Sequence, residues 1–240
     1  MMNRITPVVK HLLIIIALFF AATLAFKSDT NLVKYLALYY PGSPNFQPYQ
    51  LVTYLFMHST TNFFHIIFNM YALWLFGTAI ENDWGGKRFF IYYFFTGVGA
   101  AVLHIIVMGI NIHLLKKDMP VDAVIYVYEN GAQLLESGKN YLGIMGELNI
   151  ALNIPTVGAS GAVYGILLAF GMMYPNAQLM LLIPPIPIKA KWLVIGYGAL
   201  ALILGLSQPG SNIAHFAHLG GMLFGFILIK YWIAQNKRRY

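Results

Sequence analysis

Ser160 and His218 could together carry out nucleophilic catalysis, with the serine as the nucleophile and the histidine as its base. A serine hydroxyl is a poor nucleophile until a neighbouring base accepts its proton, and histidine is the usual base near neutral pH. His65 and Asn69 lie four residues apart, on one face of a helix, and could donate hydrogen bonds to an oxyanion. The apolar runs around these residues contain no Asp or Glu, so we predict a serine–histidine dyad rather than a triad.

Long apolar runs must position these side chains. The chain has 240 residues, of which 59% are hydrophobic and 10% are charged, whereas soluble domains carry about 25% charged residues. A membrane-spanning helix needs ~20 apolar residues, and the continuous runs do not alternate as barrel strands do. The sequence therefore predicts an all-α, polytopic membrane helical bundle with six transmembrane helices, at about 8–26, 63–80, 89–112, 157–174, 192–206 and 213–233.

The basic residues predict the orientation of these helices. If the N-terminus is cytoplasmic, ten of the fifteen Lys and Arg residues fall on the cytoplasmic side, in agreement with the positive-inside rule. Six of the eight acidic residues then fall outside. We expect an integral, multi-pass membrane protein with both termini cytoplasmic. The first run could instead be a signal peptide, with small residues at 21–25, but the charge distribution favours a retained helix.

In this topology the second, fourth and sixth helices all run inward from the outer side. His65, Ser160 and His218 lie near the outer ends of these three helices and therefore at a common depth. Small residues let membrane helices approach closely. We predict a helix-packing role for five glycines, and expect the close approach to bring Ser160 within hydrogen-bond reach of His218. These glycines are Gly158, Gly161 and Gly165 on the fourth helix and Gly221 and Gly225 on the sixth.

Two connections on the outer side are long. Residues 27–62 mix aromatic and polar side chains, which is typical of a segment at the membrane interface. Residues 111–156 form an outer insertion, in which 118–142 alternates apolar and acidic residues. We hypothesise that 118–142 forms one or two short amphipathic helices on the membrane surface and shapes access to the site. The chain is expected to be a single membrane domain, 1–240.

Three motifs together resemble those of the rhomboid intramembrane proteases. They are His65-Ile-Ile-Phe68-Asn69 in the second helix, Gly158-Ala-Ser160-Gly-Ala-Val-Tyr164 in the fourth, and Ala217-His218-Leu-Gly-Gly221 with Gly225 in the sixth. The resemblance covers the helical core, about 54–109 and 157–230. The spacing from His58 to His65 is about two residues longer than is usual in that family, and the 111–156 insertion is also longer.

The resemblance implies a function and a role for each matching residue. Ser160 would be the nucleophile and His218 the general base, with His65, Asn69 and the Ser160 backbone N–H as the oxyanion hole. Tyr164 would stack on the His218 ring and Phe68 would line the substrate entry, while Glu81 would anchor the inner end of the second helix. The implied activity is serine endopeptidase cleavage of transmembrane segments near the outer membrane face. The resemblance is to the bacterial type of this family with a six-helix core, which implies a location in a bacterial inner membrane. It implies no metal or cofactor.

Each of these residues also has a simpler interpretation. Ser160 could be a small residue at a helix contact, and His218 a hydrogen-bonded histidine. His65 and Asn69 could bond across helices, and Tyr164 could be a packing aromatic. We interpret two further histidines as non-catalytic, namely His104 as structural and His215 as a residue at a helix boundary or facing a loop.

Other functional classes agree less well with the sequence. An inactive rhomboid-like protein that binds membrane clients would be expected to lack the Ser or the His. A transporter would be expected to carry intramembrane carboxylates or paired broken helices. A zinc site is not supported by an HExxH motif, and the chain contains no cysteine. The basic residues lie at the ends of apolar runs, so they indicate topology rather than nucleic-acid binding. The expected partners are the bilayer and transmembrane protein substrates.

Overall fold

The described part of the chain is mostly helical. The computed structural model describes residues 4–26, 31–180, 186–207 and 215–237. Within these ranges the helices are α1 Pro7–Ala25, α2 Leu32–Leu36, α3 Gln50–Thr53, α4 Phe63–Ala72, α5 Thr78–Trp84, α6 Gly86–Lys117, α7 Val121–Glu136, α8 Gly143–Asn153, α9 Ser160–Met173, α10 Ala190–Ser207 and α11 His215–Lys237. A 3-10 turn at Tyr54–Phe56 follows α3, and a π-helical turn at Leu73–Gly77 joins α4 to α5.

Five of the described helical segments are long and apolar enough to cross a membrane. They are Pro7–Ala25, Phe63–Trp84, Gly86–Lys117, Ala190–Ser207 and His215–Gln235. Together with the shorter apolar helix Ser160–Met173, they confirm a polytopic helical bundle and an integral multi-pass membrane protein. The predicted 63–80 helix continues to Trp84, and the predicted 89–112 helix extends from Gly86 to Lys117. The predicted start of the last helix, 213–214, lies outside the described residues.

The central helix α9 is shorter than the predicted 157–174. Gly158 has φ +122°, a conformation that interrupts an α-helix, so α9 begins only at Ser160. Pro175 follows the last turn, and proline cannot continue a helix without losing a hydrogen bond. The resulting 14 residues span about 21 Å, less than the ~30 Å hydrocarbon layer. Because α9 packs against α4, α6, α10 and α11, protein rather than lipid surrounds it.

Glu81 holds the end of the bundle at which α1 begins. Its two carboxylate oxygens accept hydrogen bonds from the Val8 N–H at 2.9 Å, the Val9 N–H at 2.8 Å and the Thr6 hydroxyl at 2.6 Å. These backbone groups belong to the first turn of α1, where N–H groups have no partner within the helix. Glu81 therefore caps α1 and ties it to α5.

The outer insertion is a pair of helices with its own small core. The predicted 111–156 segment is shorter than expected because α6 continues to Lys117, and α7 and α8 occupy most of the remainder. Apolar residues from α6, α7 and α8 form a second buried cluster, made of Ile112, Met119, Val127, Leu148, Ala151 and Leu152. Asn149 is fully buried between α7 and α8, where its Nδ2 donates to the Gly131 carbonyl at 3.1 Å. The insertion is thus packed onto the end of α6.

The segment between α1 and α4 is folded against the chain that precedes α9. Leu38 and Thr156 pair as an isolated antiparallel bridge, with N–H to O distances of 2.9 and 2.8 Å. The Gln50 side chain is buried, and its amide donates to the Tyr35 and Asn45 carbonyls. These bonds keep the outer segment beside the start of α9.

One feature of the fold is absent from the sequence prediction. Strands β1 Gln178–Met180 and β2 Pro187–Lys189 form a short antiparallel hairpin between α9 and α10, with Leu179 opposite Ile188. Strands of three residues are too short to show a period-two pattern, which explains why the sequence does not reveal them. The all-α class is otherwise confirmed by the described residues.

Candidate active site

Ser160 is the first residue of α9, immediately after a sharp turn. The turn depends on Gly158, whose N–H donates to the Tyr54 carbonyl at 3.0 Å. The first N–H groups of a helix have no partner within it, and they lie at the positive end of the helix dipole. The Ser160 hydroxyl therefore lies beside groups that favour negative charge.

His218 reaches the Ser160 hydroxyl from α11. Its Nε2 lies 2.9 Å from the Ser160 Oγ, a normal hydrogen-bond distance, although the residues are 58 positions apart in sequence. His218 lies one turn into α11, so its ring position depends on how α11 packs against α9. In the tautomer with a bare Nε2, the ring accepts the serine proton.

Glycines determine how closely the two helices approach, but they act differently from the prediction. Gly221 of α11 lies directly on the Gly161 carbonyl of α9, and a Cβ atom at Gly221 would overlap that oxygen. Gly165 and Gly225 instead face α6, where a Cβ at Gly165 would lie 2.7 Å from the Thr96 side chain and one at Gly225 would overlap Tyr92. Gly221 thus brings the backbone of α11 directly onto α9. Gly161 makes room for α6, as Gly165 and Gly225 do, since a Cβ at Gly161 would lie 2.5 Å from the Ala100 side chain; the sequence could not distinguish these roles.

Gly158 is also placed differently, since it precedes α9 instead of belonging to it. It contacts His65: a Cβ at Gly158 would lie 2.7 Å from the His65 Cε1 and 2.8 Å from Nε2. A side chain here would therefore displace the His65 ring, besides being strained at this φ.

Tyr164 stacks on the ring of His218. The two ring centroids are 4.2 Å apart and the planes are nearly parallel, at 4°. Tyr197 of α10 contacts Tyr164 edge-on, with centroids 6.0 Å apart. An aromatic surface therefore packs against one face of the imidazole.

His65 and Asn69 lie on one face of α4, and the His65 ring lies beside the Gly158 turn. The Asn69 side chain is buried, and its Nδ2 donates to the His65 carbonyl at 2.7 Å. An amide nitrogen carries two protons, so this bond leaves one donor for another acceptor. Both side chains could contribute donors on the same side of the site as Gly158.

Comparison with protein families matches residues 45–235 to the Rhomboid domain. The chain belongs to the rhomboid family. It is 26% identical over 185 residues to Rhomboid protein 1, mitochondrial, of Saccharomyces cerevisiae, which covers 75% of the chain and 42% of the yeast protein. It is 28% identical over 199 residues to Presenilin-associated rhomboid-like protein A, mitochondrial, of Danio rerio, with coverage of 82% and 42%.

Rhomboid-like protein 11, chloroplastic, of Arabidopsis thaliana is 25% identical over 226 residues, which cover 85% of the chain and 58% of the plant protein. The rhomboid chain described here therefore spans about half of the length of these relatives.

Phe68 is exposed on the exterior of the rhomboid helical bundle. Its side chain is 57% exposed and stacks on Phe64, with ring centroids 6.1 Å apart. Phe63 and Ile67 are exposed on the same helix. This apolar face of α4 is therefore open to lipid or to another transmembrane segment.

Three further histidines surround the rhomboid site. The His104 Nε2 lies 2.8 Å from the Thr156 hydroxyl, which links α6 to the segment before the Gly158 turn. His215 is the first residue of α11 and thus lies at a helix boundary, one of the two positions that its sequence context predicts, and its buried ring lies 6.3 Å from that of His218. His58 is buried against His65. The sequence draws attention to His58 only through its spacing from His65 and cannot predict this contact, because His58 lies in a loop without helical periodicity.

The remaining chemistry of the site is that of side chains and backbone groups. In the ranges that the structure describes, no three His, Asp or Glu residues come together as a candidate metal centre. The arrangement offers a hydroxyl, a base in contact with it, and donors beside the helix start. These are the components of acyl transfer through a covalent intermediate.

Proposed function

We propose that this rhomboid-family chain is an intramembrane serine endopeptidase that cleaves transmembrane segments of other proteins. The observation that carries the proposal is the 2.9 Å distance between the His218 Nε2 and the Ser160 Oγ, in a helical membrane bundle. A serine and a histidine at this distance are what base-assisted attack on a peptide carbonyl requires.

The reaction begins when the Ser160 oxygen attacks the carbonyl carbon of the scissile bond. Neutral His218 accepts the hydroxyl proton at Nε2, and the carbonyl oxygen becomes an oxyanion. The imidazolium then gives its proton to the leaving amine, so that the C–N bond breaks and an acyl-enzyme forms on Ser160. Water then hydrolyses the acyl-enzyme by the same steps. His218 accepts a water proton, the hydroxide attacks the ester carbon, and the proton passes to the Ser160 oxygen as the acid product leaves.

The oxyanion is stabilised by fixed donors. The Ser160 N–H lies at the start of α9, the His65 ring lies next to the turn that precedes it, and Asn69 follows His65 by one turn of α4. Donors that are already oriented need little reorganisation when charge develops, which lowers the barrier. Tyr164 has the orienting role, since its ring lies parallel to that of His218.

The length of α9 supports cleavage near one membrane face. Its inner end is fixed because Tyr174, just after α9, donates a hydrogen bond to Asp83 near the end of α5. A 14-residue helix that starts from this level reaches about 21 Å and leaves Ser160 about 10 Å below the outer edge of a 30 Å layer. A transmembrane substrate would meet Ser160 in its outer half and could approach past Phe68.

The proposal includes the orientation with both termini cytoplasmic, in a bacterial inner membrane. It is supported by the positions of the basic residues, among them Lys87 and Arg88 at the start of α6. The mitochondrial and chloroplastic names belong to the relatives. Protease protection of a tag on either terminus, in inverted vesicles of a bacterial host, tests the orientation.

The activity is tested with the purified chain in liposomes that contain a single-span substrate. We expect cleavage that EDTA leaves intact, and labelling by a fluorophosphonate. Ser160→Ala should remove both, and His218→Ala should slow cleavage by ~10²- to 10⁴-fold. Ser207→Ala, at the exposed end of α10, is the matched control and should behave like the wild type. Labelling that survives Ser160→Ala would overturn the assignment, and binding without cleavage would favour the inactive client-binding alternative.

A further inference from the structure

His58 is a buried polar residue for which the dyad reaction has no use. Its side chain is 1% exposed, and neither ring nitrogen has a hydrogen-bond partner among the described residues. It lies in the loop between the 3-10 turn and α4. A buried polar group without a partner is costly, and such groups in folded proteins often bind water or have a functional role.

The neighbour of His58 is His65. The two ring centroids are 5.2 Å apart and the planes are inclined at 50°, so the rings are in contact without a direct hydrogen bond. His65 also contacts the backbone of Gly158, two residues before Ser160. His65 is thus in contact with His58 and with the turn that presents the nucleophile.

The backbone around His58 is fixed to the same turn. The Tyr54 carbonyl, four residues before His58, accepts the hydrogen bond from the Gly158 N–H at 3.0 Å. Tyr54 and Met57 are fully buried. A displacement of His58 would therefore be transmitted to His65 by the ring contact and not absorbed by a mobile loop.

His58 is an uncharged imidazole at neutral pH, because burial and, to a smaller extent, the proximity of His65 lower its pKa to about 4 in spite of an opposing interaction with the Phe56 backbone. A neutral imidazole has one N–H donor and one acceptor. A water molecule is small enough to satisfy such groups in a buried polar site, and it typically makes about three hydrogen bonds.

We propose that His58 is a positioning residue that orients the His65 imidazole towards the oxyanion, by ring contact and by hydrogen bonds through a buried water molecule. This role rests on the proposed protease function. It explains why an imidazole and not an aliphatic side chain occupies this position. An aliphatic residue would fill the same volume without an unpaired polar group, but it would not constrain the direction of the His65 donor.

Two variants distinguish the contribution of the His58 ring nitrogens from that of the ring shape. His58→Phe keeps a ring of similar size without nitrogens, and His58→Gln keeps a donor and an acceptor without the ring. We expect His58→Phe to lower kcat about 10-fold with KM unchanged, because a mispositioned donor loses part of its contribution in the transition state. We expect His58→Gln to retain most of the activity. Wild-type kcat in His58→Phe would overturn the proposal.

A double-mutant cycle shows whether His58 acts through His65. In a His65→Ala background, His58→Phe should cause no further loss of kcat, since the residue to be positioned is gone. Equal losses in both backgrounds would overturn the proposal and indicate that His58 serves the fold alone. Thermal unfolding of each variant distinguishes a loss of folded protein from a loss of rate, and His58→Leu, which also lacks both nitrogens, replaces His58→Phe in the cycle if His58→Phe does not fold.

A second readout is independent of activity. The ¹⁵N shifts of the His65 ring, measured by NMR of histidine-labelled chain in micelles, report its tautomer and hydrogen bonding. We expect them to change in His58→Phe and to stay close to wild type in His58→Gln. If the wild type shows no Ser160-dependent cleavage, the proposed protease function is wrong, but the shifts still test the contact between His58 and His65. Unchanged His65 shifts in His58→Phe would overturn the positioning role.

Discussion

Gly221 lies directly against the carbonyl group of Gly161, so that α11 and α9 touch backbone to backbone. Gly161 follows Ser160, and Gly221 lies three residues after His218, close to one helical turn. The contact is therefore about one turn from the 2.9 Å hydrogen bond between the two candidate catalytic groups. The separation of the helices at this point determines whether the base can reach the hydroxyl.

Gly221→Ala should break the dyad. The added methyl group would overlap the Gly161 oxygen, and backbone atoms cannot move away as a flexible side chain can, so the helices must separate. A shift of about 1 Å at the reacting groups is expected to lower kcat/KM by ~10²-fold. Substrate cleavage and fluorophosphonate labelling measure the loss. Gly196→Ala on α10, where nothing lies within 4 Å of the new methyl, is the control; equal activity of the two variants would contradict the prediction.

The Tyr164 ring should matter more than its hydroxyl. Stacked aromatic pairs contribute about 0.5–1.5 kcal/mol beyond burial, which corresponds to roughly a 2- to 10-fold change in rate. We therefore expect Tyr164→Phe to keep nearly full kcat and Tyr164→Leu to lose up to about 10-fold. Steady-state kinetics of both variants test this. A greater loss in Tyr164→Phe than in Tyr164→Leu would assign the role to the hydroxyl instead.

Glu81 should stabilise the bundle without affecting the chemistry. Its carboxylate caps the first turn of α1 through two backbone N–H groups and the Thr6 hydroxyl. Glu81→Ala leaves buried donors unpaired, and we expect a loss of about 1–3 kcal/mol in the free energy of unfolding. Glu81→Gln keeps an acceptor and should lose less. Unfolding titrations in mixed micelles measure both, and an Ala variant as stable as the wild type would refute the cap.

His58 should make the stability depend on pH in a defined range. Its pKa is about 4 in the folded chain and 6.5 as a free side chain, so between these values the unfolded state binds a proton that the folded state does not. Stability therefore falls as the pH decreases from 6.5 towards 4, and this contribution is constant above 6.5. The thermal midpoint of the wild type relative to His58→Phe should decrease over that range. A difference that stays constant from pH 8 to pH 4 would contradict the burial of a neutral ring.

Helix α7 is expected to rest on the outer membrane surface. From Lys87 to Lys116, α6 rises about 44 Å, which matches the ~40–45 Å thickness of a bilayer with its headgroups and places the start of α7 at the headgroups. Val121 and Ile125 are 73% and 48% exposed on its first turns, whereas exposed Gln133 follows two turns later. The chain has no cysteine, so single labels can be introduced. Spin labels at Val121→Cys and Ile125→Cys should be more accessible to oxygen than one at Gln133→Cys; equal aqueous accessibility at all three would refute the placement.

The sequence predicts the bundle better than its contacts. A run of about 20 apolar residues has one stable arrangement in lipid, a helix that satisfies its own backbone groups, and so the spans follow from composition. The observed helix boundaries differ from the predicted ones where single residues or tertiary packing determine the end of a helix. Gly158 and Pro175 shorten α9, and the outer end of α6 is stabilised by packing against α8.

In the candidate active site too, the sequence predicts the positions of residues along the helices but not the contacts between them. The order and depth of His65, Ser160 and His218 follow from the positions of these residues in the apolar runs. The sequence could not show that Gly161, Gly165 and Gly225 face α6 while Gly221 faces the backbone of Gly161, because residues four apart on a helix share a face whichever neighbour that face meets. The contact of His58 with His65 was also hidden, since a loop has no periodicity from which its direction could be inferred.

The sequence by itself determined the class of fold, the number of apolar segments and the residue types at a common depth, because these depend on hydrophobicity and on distance along the chain. Only the tertiary structure decided which helices touch, which groups surround the imidazoles and where the two short strands pair. These features depend on packing between residues far apart in sequence, such as Gly161 with Gly221 and Ser160 with His218. Such contacts depend on how side chains from several helices fill the same space, and no local pattern encodes them.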